Sequence, residues 1–352
     1  MAVKNRLEYI DLIKTLAIFA IIALHVFQVW KSGPQIKGID IYSLASITRF
    51  GVPIFIMVSG ALLLNRDIEI KSFLKKRVSR IIYPFLFCFV VCYIFTNVTG
   101  MGTSQTANFF AFRWYFWMIL GVYLAVPIIN KFIQHASMKE IEYFIAIFVL
   151  AGIYYQITNY LGIEQFLDLG MFVSPLGYLV LGYYLSKKEF NISTNKIIAI
   201  AILIFIVTTF IKTCGRLDLI PLTENFTALN TKMVSSWLDV GLLEILQSAS
   251  VFLFCKNIYE SSSGIFSRIR SFLKISVVEK SITSISRSSY GMYLFNLIPT
   301  LYFHSTVKKL HLTGSEVCLY IIVLTIAVFV VSWIVVAILG RIPYVKYVSG
   351  YY

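Results

Sequence analysis

Arg6-Leu-Glu-Tyr-Ile-Asp11-Leu-Ile-Lys14-Thr-Leu-Ala-Ile-Phe-Ala-Ile-Ile-Ala-Leu-His25 is the stretch that decides the reading of this chain. Lys14 and His25 stand eleven positions apart, and every residue between them is uncharged. On a helix that interval makes almost three turns, so the two side chains share a face, roughly 16 Å apart along the axis. Asp11 lies one turn before Lys14 on nearly the same face. Ionisable groups in an apolar span are costly, and they turn toward a protein interior or a wet cavity. The stripe Asp11, Lys14, His25 is therefore where chemistry is to be sought.

The surrounding composition is that of an all-α polytopic membrane protein. Hydrophobic residues make up 58% of the chain and charged residues only 14%, against about 25% charged in ordinary globular domains. A span takes about 20 apolar residues. About ten transmembrane helices are expected, near 7–30, 43–65, 80–97, 114–134, 141–161, 172–186, 197–213, 235–258, 286–304 and 317–339. The sixth is short, and polar residues interrupt the ninth. The loops between are too short for a soluble module, so residues 1–352 are expected to form a single transmembrane domain.

With the N-terminus placed inside, the segments carrying Arg66, Lys71, Lys75, Lys76, Arg77 and Arg80, and later Arg268, Arg270, Lys274, Arg341 and Lys346, all fall on the cytoplasmic side. With Lys4, Arg6, Lys131, Lys139, Lys187, Lys188, Lys196, Lys256, Lys280 and Arg287 they make 21 of the 31 Lys and Arg residues, as the positive-inside rule requires. Both termini are then cytoplasmic. The net charge of +14 is read as loops meeting anionic headgroups, with no nucleic-acid partner. Residues 212–234 are read as the longest outer loop, and 265–275 as an interfacial amphipathic helix. The five cysteines are read as small residues of apolar spans, and no metal-ligand spacing is present.

Several polar positions stand out. A neutral imidazole at His25 suits a general base near neutral pH; the plainer reading is a histidine that hydrogen-bonds a neighbouring helix. Lys14 either neutralises Asp11 or meets a substrate. Arg49, in Arg49-Phe-Gly-Val-Pro53-Ile-Phe55-Ile-Met-Val-Ser59-Gly60, falls at a depth similar to His25, where a guanidinium serves an oxyanion or snorkels to headgroups. Pro53 is expected to kink this span. Arg77 and Arg80, three apart, suit either a phosphate clamp or plain cytoplasmic anchoring. Arg113 and Trp114 open the fourth span. Glu244 and Asp239 lie in the eighth, and Tyr290 and Asn296 in the ninth.

These motifs, in this order, resemble the integral-membrane acyltransferase 3 family of O-acyltransferases. The family's hallmark, a basic residue, ten residues, then His, is matched by Lys14 to His25, with Asp11 at the preceding acid. Arg49, Val52-Pro53, Phe55 and Ser59-Gly60 match its second-span pattern. Arg77 and Arg80 match its two-arginine motif, Trp114-Tyr115 its aromatic start, and Ser289-Tyr290-Gly291-Met292-Tyr293-Leu294 its late pattern. Two positions depart from it: many members carry His where this chain has Asn296 and Arg113.

The resemblance implies a multi-pass protein of the bacterial cytoplasmic (inner) membrane. It implies an acyl-CoA-dependent O-acyltransferase, most often an O-acetyltransferase, acting on a cell-envelope polysaccharide or lipid-linked glycan. Acetyl-CoA is then a donor substrate and not a tightly bound cofactor. His25 would be general base or transient acyl carrier, with Lys14, Asp11 and Arg49 completing the catalytic set. Arg77 and Arg80 would hold coenzyme A phosphates. The remaining substrate-binding candidates are Ser59, Arg113, Trp114, Glu244, Tyr290 and Asn296. Two alternatives remain: a transporter or flippase of a lipid-linked glycan, and a scaffold with a degenerate acyltransferase core.

Overall fold

The computed structural model describes residues 8–31, 39–100, 114–161, 163–216, 241–262, 264–307 and 315–352. Of these, 82% are helical, and among them there is no strand. The helices are α1 (Glu8–Lys31), α2 (Ile39–Thr48), α3 (Gly51–Leu63), α4 (Ile70–Val98), α5 (Trp114–His135), α6 (Met138–Leu161), α7 (Pro175–Lys187), α8 (Thr194–Arg216), α9 (Leu242–Ile258), α10 (Gly264–Leu273), α11 (Ser276–Phe295), α12 (Leu297–Val307) and α13 (Ser315–Leu339), followed by a short 3-10 turn at Val345–Tyr347.

Seven stretches among the described residues are long and apolar enough to cross a bilayer: Glu8–Phe27, Leu44–Leu63, Ile70–Val98, Trp114–His135, Met138–Thr158, Thr194–Cys214 and Glu316–Leu339. The chain is an all-α polytopic membrane protein. Three expected spans take another form. The stretch at 172–186 is α7, with 13 residues. The stretch at 235–258 is described only from 241, as the 17-residue α9. The stretch at 286–304 divides between α11 and α12, which meet at Asn296.

The chain divides into two compact units. The first comprises Met1–Ala17, Phe50–Leu62 and Ser137–Ser286. At its centre α7 buries residues on all sides, including Tyr178, Leu179, Val180 and Leu181, the pattern of a helix surrounded by protein. Pro175 at its first turn and the Ser174 hydroxyl, which accepts from the Leu176 N–H at 3.3 Å, start it. Lys256 donates to the carbonyls of Leu185 at 3.0 Å and Lys188 at 3.1 Å, so a cation meets its C-terminal dipole. Glycines let α3 and α7 touch backbone to backbone. A Cβ at Gly60 would collide with the Leu179 carbonyl, and one at Gly182 with the Met57 carbonyl.

The pair α8–α9 in the same unit carries a buried charge. Lys212 Nζ lies 3.2 Å from Glu244 Oε1, with the two side chains 0% and 5% exposed. The ammonium also donates to Gln247 Oε1 at 2.7 Å, and Gln247 Nε2 donates to Thr209 Oγ1 at 2.9 Å. Lys212 was expected at the edge of the outer loop 212–234. Instead α8 continues to Arg216, because the ammonium finds an acid on α9 and is neutralised inside the protein. The rest of that loop, with Asp239 beyond it, lies outside the described residues.

The second unit comprises Ile18–Arg49, Leu63–Ala136 and Arg287–Tyr352. Phe85 of α4 stacks on Phe116 of α5 with ring centroids 3.9 Å apart. The buried Asn130 amide brackets Arg66, accepting from its N–H at 3.2 Å and donating to its carbonyl at 2.7 Å. The C-terminal segment packs on α11: Gly291 N–H donates to the Gly350 carbonyl at 3.3 Å, and Tyr352 N–H to the Arg287 carbonyl at 2.9 Å. Gly350 has φ 74° and would drive a Cβ into the Gly291 backbone, so both positions require glycine. The Tyr290 hydroxyl ties α11 to α4 through the Ile81 carbonyl at 2.9 Å.

Two stability outcomes are expected. Gly182→Ala overpacks the α3–α7 contact and destabilises by about 1–3 kcal/mol, read as a lower unfolding temperature in detergent. Lys212→Met leaves the Glu244 carboxylate buried without its cation and costs about 3–5 kcal/mol. Adding Glu244→Leu to Lys212→Met recovers most of that loss, which a thermal-shift series on the single and double variants measures.

Candidate functional site

His25 sits on the unbroken helix α1, 8% exposed. Its Nδ1 lies 2.9 Å from Oδ1 of Asn296, which is fully buried. Both belong to the second unit. The amide is held by its own helix end: Asn296 Nδ2 donates to the carbonyls of Met292 at 3.0 Å and Tyr293 at 2.7 Å. An asparagine side chain that competes for nearby backbone groups disfavours a regular helix, and α11 gives way to α12 at this residue. Beside the imidazole the Tyr293 ring lies 6.0 Å away, centroid to centroid. Tyr293 meets the buried Tyr115 edge-on at 5.2 Å and stacks with Tyr290 at 6.3 Å. The sequence pattern named these tyrosines as motif positions without showing that one of them sits against His25. Helical spacing within α11 puts Tyr293 three residues before Asn296, which is the signal that links them.

Arg49 lies in the turn between α2 and α3, half-buried. The expected proline interruption is present: the span Leu44–Leu63 breaks at Arg49 and Phe50, and α3 restarts at Gly51 with Pro53 in its first turn, so Pro53 offers no N–H to the Arg49 carbonyl. Ser59 is half-buried, and its hydroxyl donates back to the Phe55 carbonyl at 3.1 Å on the same helix. Trp114 is the first residue of α5, half-buried, edge-on to Tyr115 at 6.4 Å. Arg113 lies outside the described residues.

Asp11 and Lys14 belong to the first unit. The buried Asp11 carboxylate accepts a hydrogen bond from the Ser286 hydroxyl at 2.5 Å. Thr15, one turn on, donates to the Ile282 carbonyl at 3.3 Å, also on α11. Ser286 was not singled out from sequence as a partner of Asp11, since the two are 275 positions apart. Lys14 is half-buried on the same face of α1. Glu244 is the acid of the Lys212 pair.

The two arginines of α4 have different surroundings. The Arg77 guanidinium lies over Phe73, 5.9 Å from the ring centroid. The Arg80 guanidinium lies over Tyr352 at 5.3 Å. Arg80 lines a cavity of about 500 Å³ together with Lys76, Ser79 and Tyr83 of α4, Gly340 at the end of α13, and Lys346, Tyr347, Tyr351 and Tyr352 of the C-terminal segment. Arg77 is not among the lining residues. Lys76, Arg80 and Lys346 surround the cavity with positive charge, and tyrosine rings supply flat apolar walls and hydroxyl donors. Burial pushes the Tyr352 phenol up to about 12, so it stays protonated and able to donate at physiological pH. The arrangement suits an anionic ligand with a planar group. The contribution of the C-terminal segment was not anticipated; its run of Lys346 with Tyr344, Tyr347, Tyr351 and Tyr352 is the signal that marks it.

The second unit thus holds a buried imidazole bonded to an amide and a basic, aromatic cavity. Among curated proteins and among solved structures this chain has no match. A family model described as an acyltransferase domain, type 3, matches residues 7–337. That match covers nearly the whole chain, including His25, Asn296 and Arg80, and it makes this protein a member of the acyltransferase 3 family, a multi-pass membrane acyltransferase.

Proposed function

We propose that this protein transfers an acyl group, acetyl in the commonest case, from acyl-CoA in the cytoplasm to a hydroxyl of a cell-envelope polysaccharide or lipid-linked glycan. The bacterial cytoplasmic membrane is its site of action. The observation that carries the reading is the buried His25 imidazole bonded to Asn296, a group able to take a proton from a hydroxyl near neutral pH. In this reading the acceptor hydroxyl attacks the thioester carbonyl as His25 removes its proton. The C–O bond forms, the C–S bond breaks, and the imidazolium returns the proton to the departing thiolate. Alternatively His25 takes the acyl group before passing it on. Arg49 stabilises the negative charge that develops on the carbonyl oxygen. Asp11, bonded to Ser286, and Lys14 take no step here.

The donor's phosphates and adenine fit the cavity at Arg80. Its charge comes from Lys76, Arg80 and Lys346, and its tyrosine walls suit a purine face. Both segments that line it, 66–80 and the C-terminal stretch, are ones that the positive-inside bias puts on the side where coenzyme A is found. Arg77, one turn from Arg80, adds to the positive field. Coenzyme A is a substrate in this reading, and the chain needs no resident cofactor for it.

Two measurements test this. Mass spectrometry of surface glycan from cells with wild-type protein shows an acyl mass increment, which His25→Ala abolishes while the variant is still made and folded. Equal acylation in both strains, with glycan export altered, favours a carrier instead. In purified protein Arg80→Ala raises the acyl-CoA KM roughly tenfold or more, the scale of a lost charge-assisted contact. An unchanged KM removes the cavity from the donor site.

A further inference from the structure

The buried amide of Asn296 has its orientation set by its own helix. Nδ2 points at two carbonyl oxygens, those of Met292 at 3.0 Å and Tyr293 at 2.7 Å. Exchanging the amide's oxygen and nitrogen would set Oδ1 against both carbonyls, three acceptors facing one another in an apolar interior, and would forfeit two hydrogen bonds. Oδ1 is therefore the atom that faces His25, at 2.9 Å from Nδ1. An amide oxygen only accepts, so Nδ1 carries the proton. In a neutral imidazole the lone pair then resides on Nε2.

The helix junction holds this amide still. Asn296 N–H donates to the Met292 carbonyl at 3.0 Å. The Asn296 carbonyl accepts from Thr300 N–H at 3.1 Å and from the Thr300 hydroxyl at 2.6 Å. With its backbone bonded on both sides and its side chain bonded three ways, Asn296 has no low-energy alternative rotamer that keeps these partners. The amide is also uncharged, unlike a carboxylate, so it orients the ring without favouring the imidazolium.

We infer that Asn296 is a positioning residue that fixes His25 in the Nδ1–H tautomer and so makes Nε2 the proton-accepting atom of the acyl-transfer reaction. This rests on the reading of His25 as the base, but the tautomer is measurable without any acyl transfer. It also revises the expectation that Asn296 contacts substrate: its polar atoms are spent on Met292, Tyr293, Thr300 and His25.

The test is a nitrogen NMR measurement on protein labelled with 15N-histidine in lipid nanodiscs, at a pH above about 8, where imidazole is neutral. The chain has only four histidines, and His25→Gln assigns the signal by difference. The expected wild-type signature is a protonated Nδ1 and an unprotonated Nε2 at His25. The reverse pattern, or an even mixture, overturns the inference outright. Asn296→Leu removes the acceptor; it is expected to lose the Nδ1–H preference and to lower kcat roughly 10²-fold, the low end of what a positioned base contributes, with acyl-CoA KM within about twofold. An Asn296→Leu protein with wild-type tautomer or wild-type kcat overturns the assignment. If the wild-type tautomer is as expected but His25→Ala still acylates glycan, the proposed function fails and the tautomer assignment stands.

Discussion

A polar group in an apolar span has no water to turn to, and it must find its partner inside the protein. Four polar positions among the described residues obey that constraint. His25 is bonded to Asn296, Asp11 to Ser286, Lys212 to Glu244 and Gln247, and Asn130 to the backbone of Arg66. These pairs join residues far apart in sequence, so they specify which helices of a unit lie side by side. Apolar contacts between helices are permissive by comparison, because lipid tails are as apolar as leucine. The glycine contacts of α3 with α7 add shape to that specificity, since only a residue without Cβ admits the facing carbonyl.

The same constraint separates structural charge from chemical charge. Lys212 and Glu244 satisfy one another and are completed by Gln247, so the pair serves as a pin within the first unit. His25 differs. One nitrogen is engaged by a neutral amide that is itself bonded to a helix end. A carboxylate in place of the amide would favour the imidazolium. Asn296 thus sets an amide against the His25 ring.

Much of the architecture was legible before any coordinates. Long apolar runs named the seven spans, because length and hydropathy are local properties. The helical interval between Lys14 and His25 is likewise local, and α1 preserves it. Where local pattern failed, tertiary partners had decided. Residues 172–186 read as a span on hydropathy alone, yet α7 is a short helix buried on all sides. Lys212 read as a loop residue because an ammonium at the end of an apolar run belongs in water unless an acid is waiting.

The sequence by itself determined the class of the protein, the run of its helices and the short set of residues with chemistry in them. Tertiary structure alone decided how those residues are used. It placed Asn296 against His25 from 271 positions away, and it separated Arg80, in a cavity with Lys346 and Tyr352, from Arg77, over Phe73. Hydropathy and periodicity are read along one helix, whereas a hydrogen bond between helices depends on the packing of elements that the local sequence does not encode.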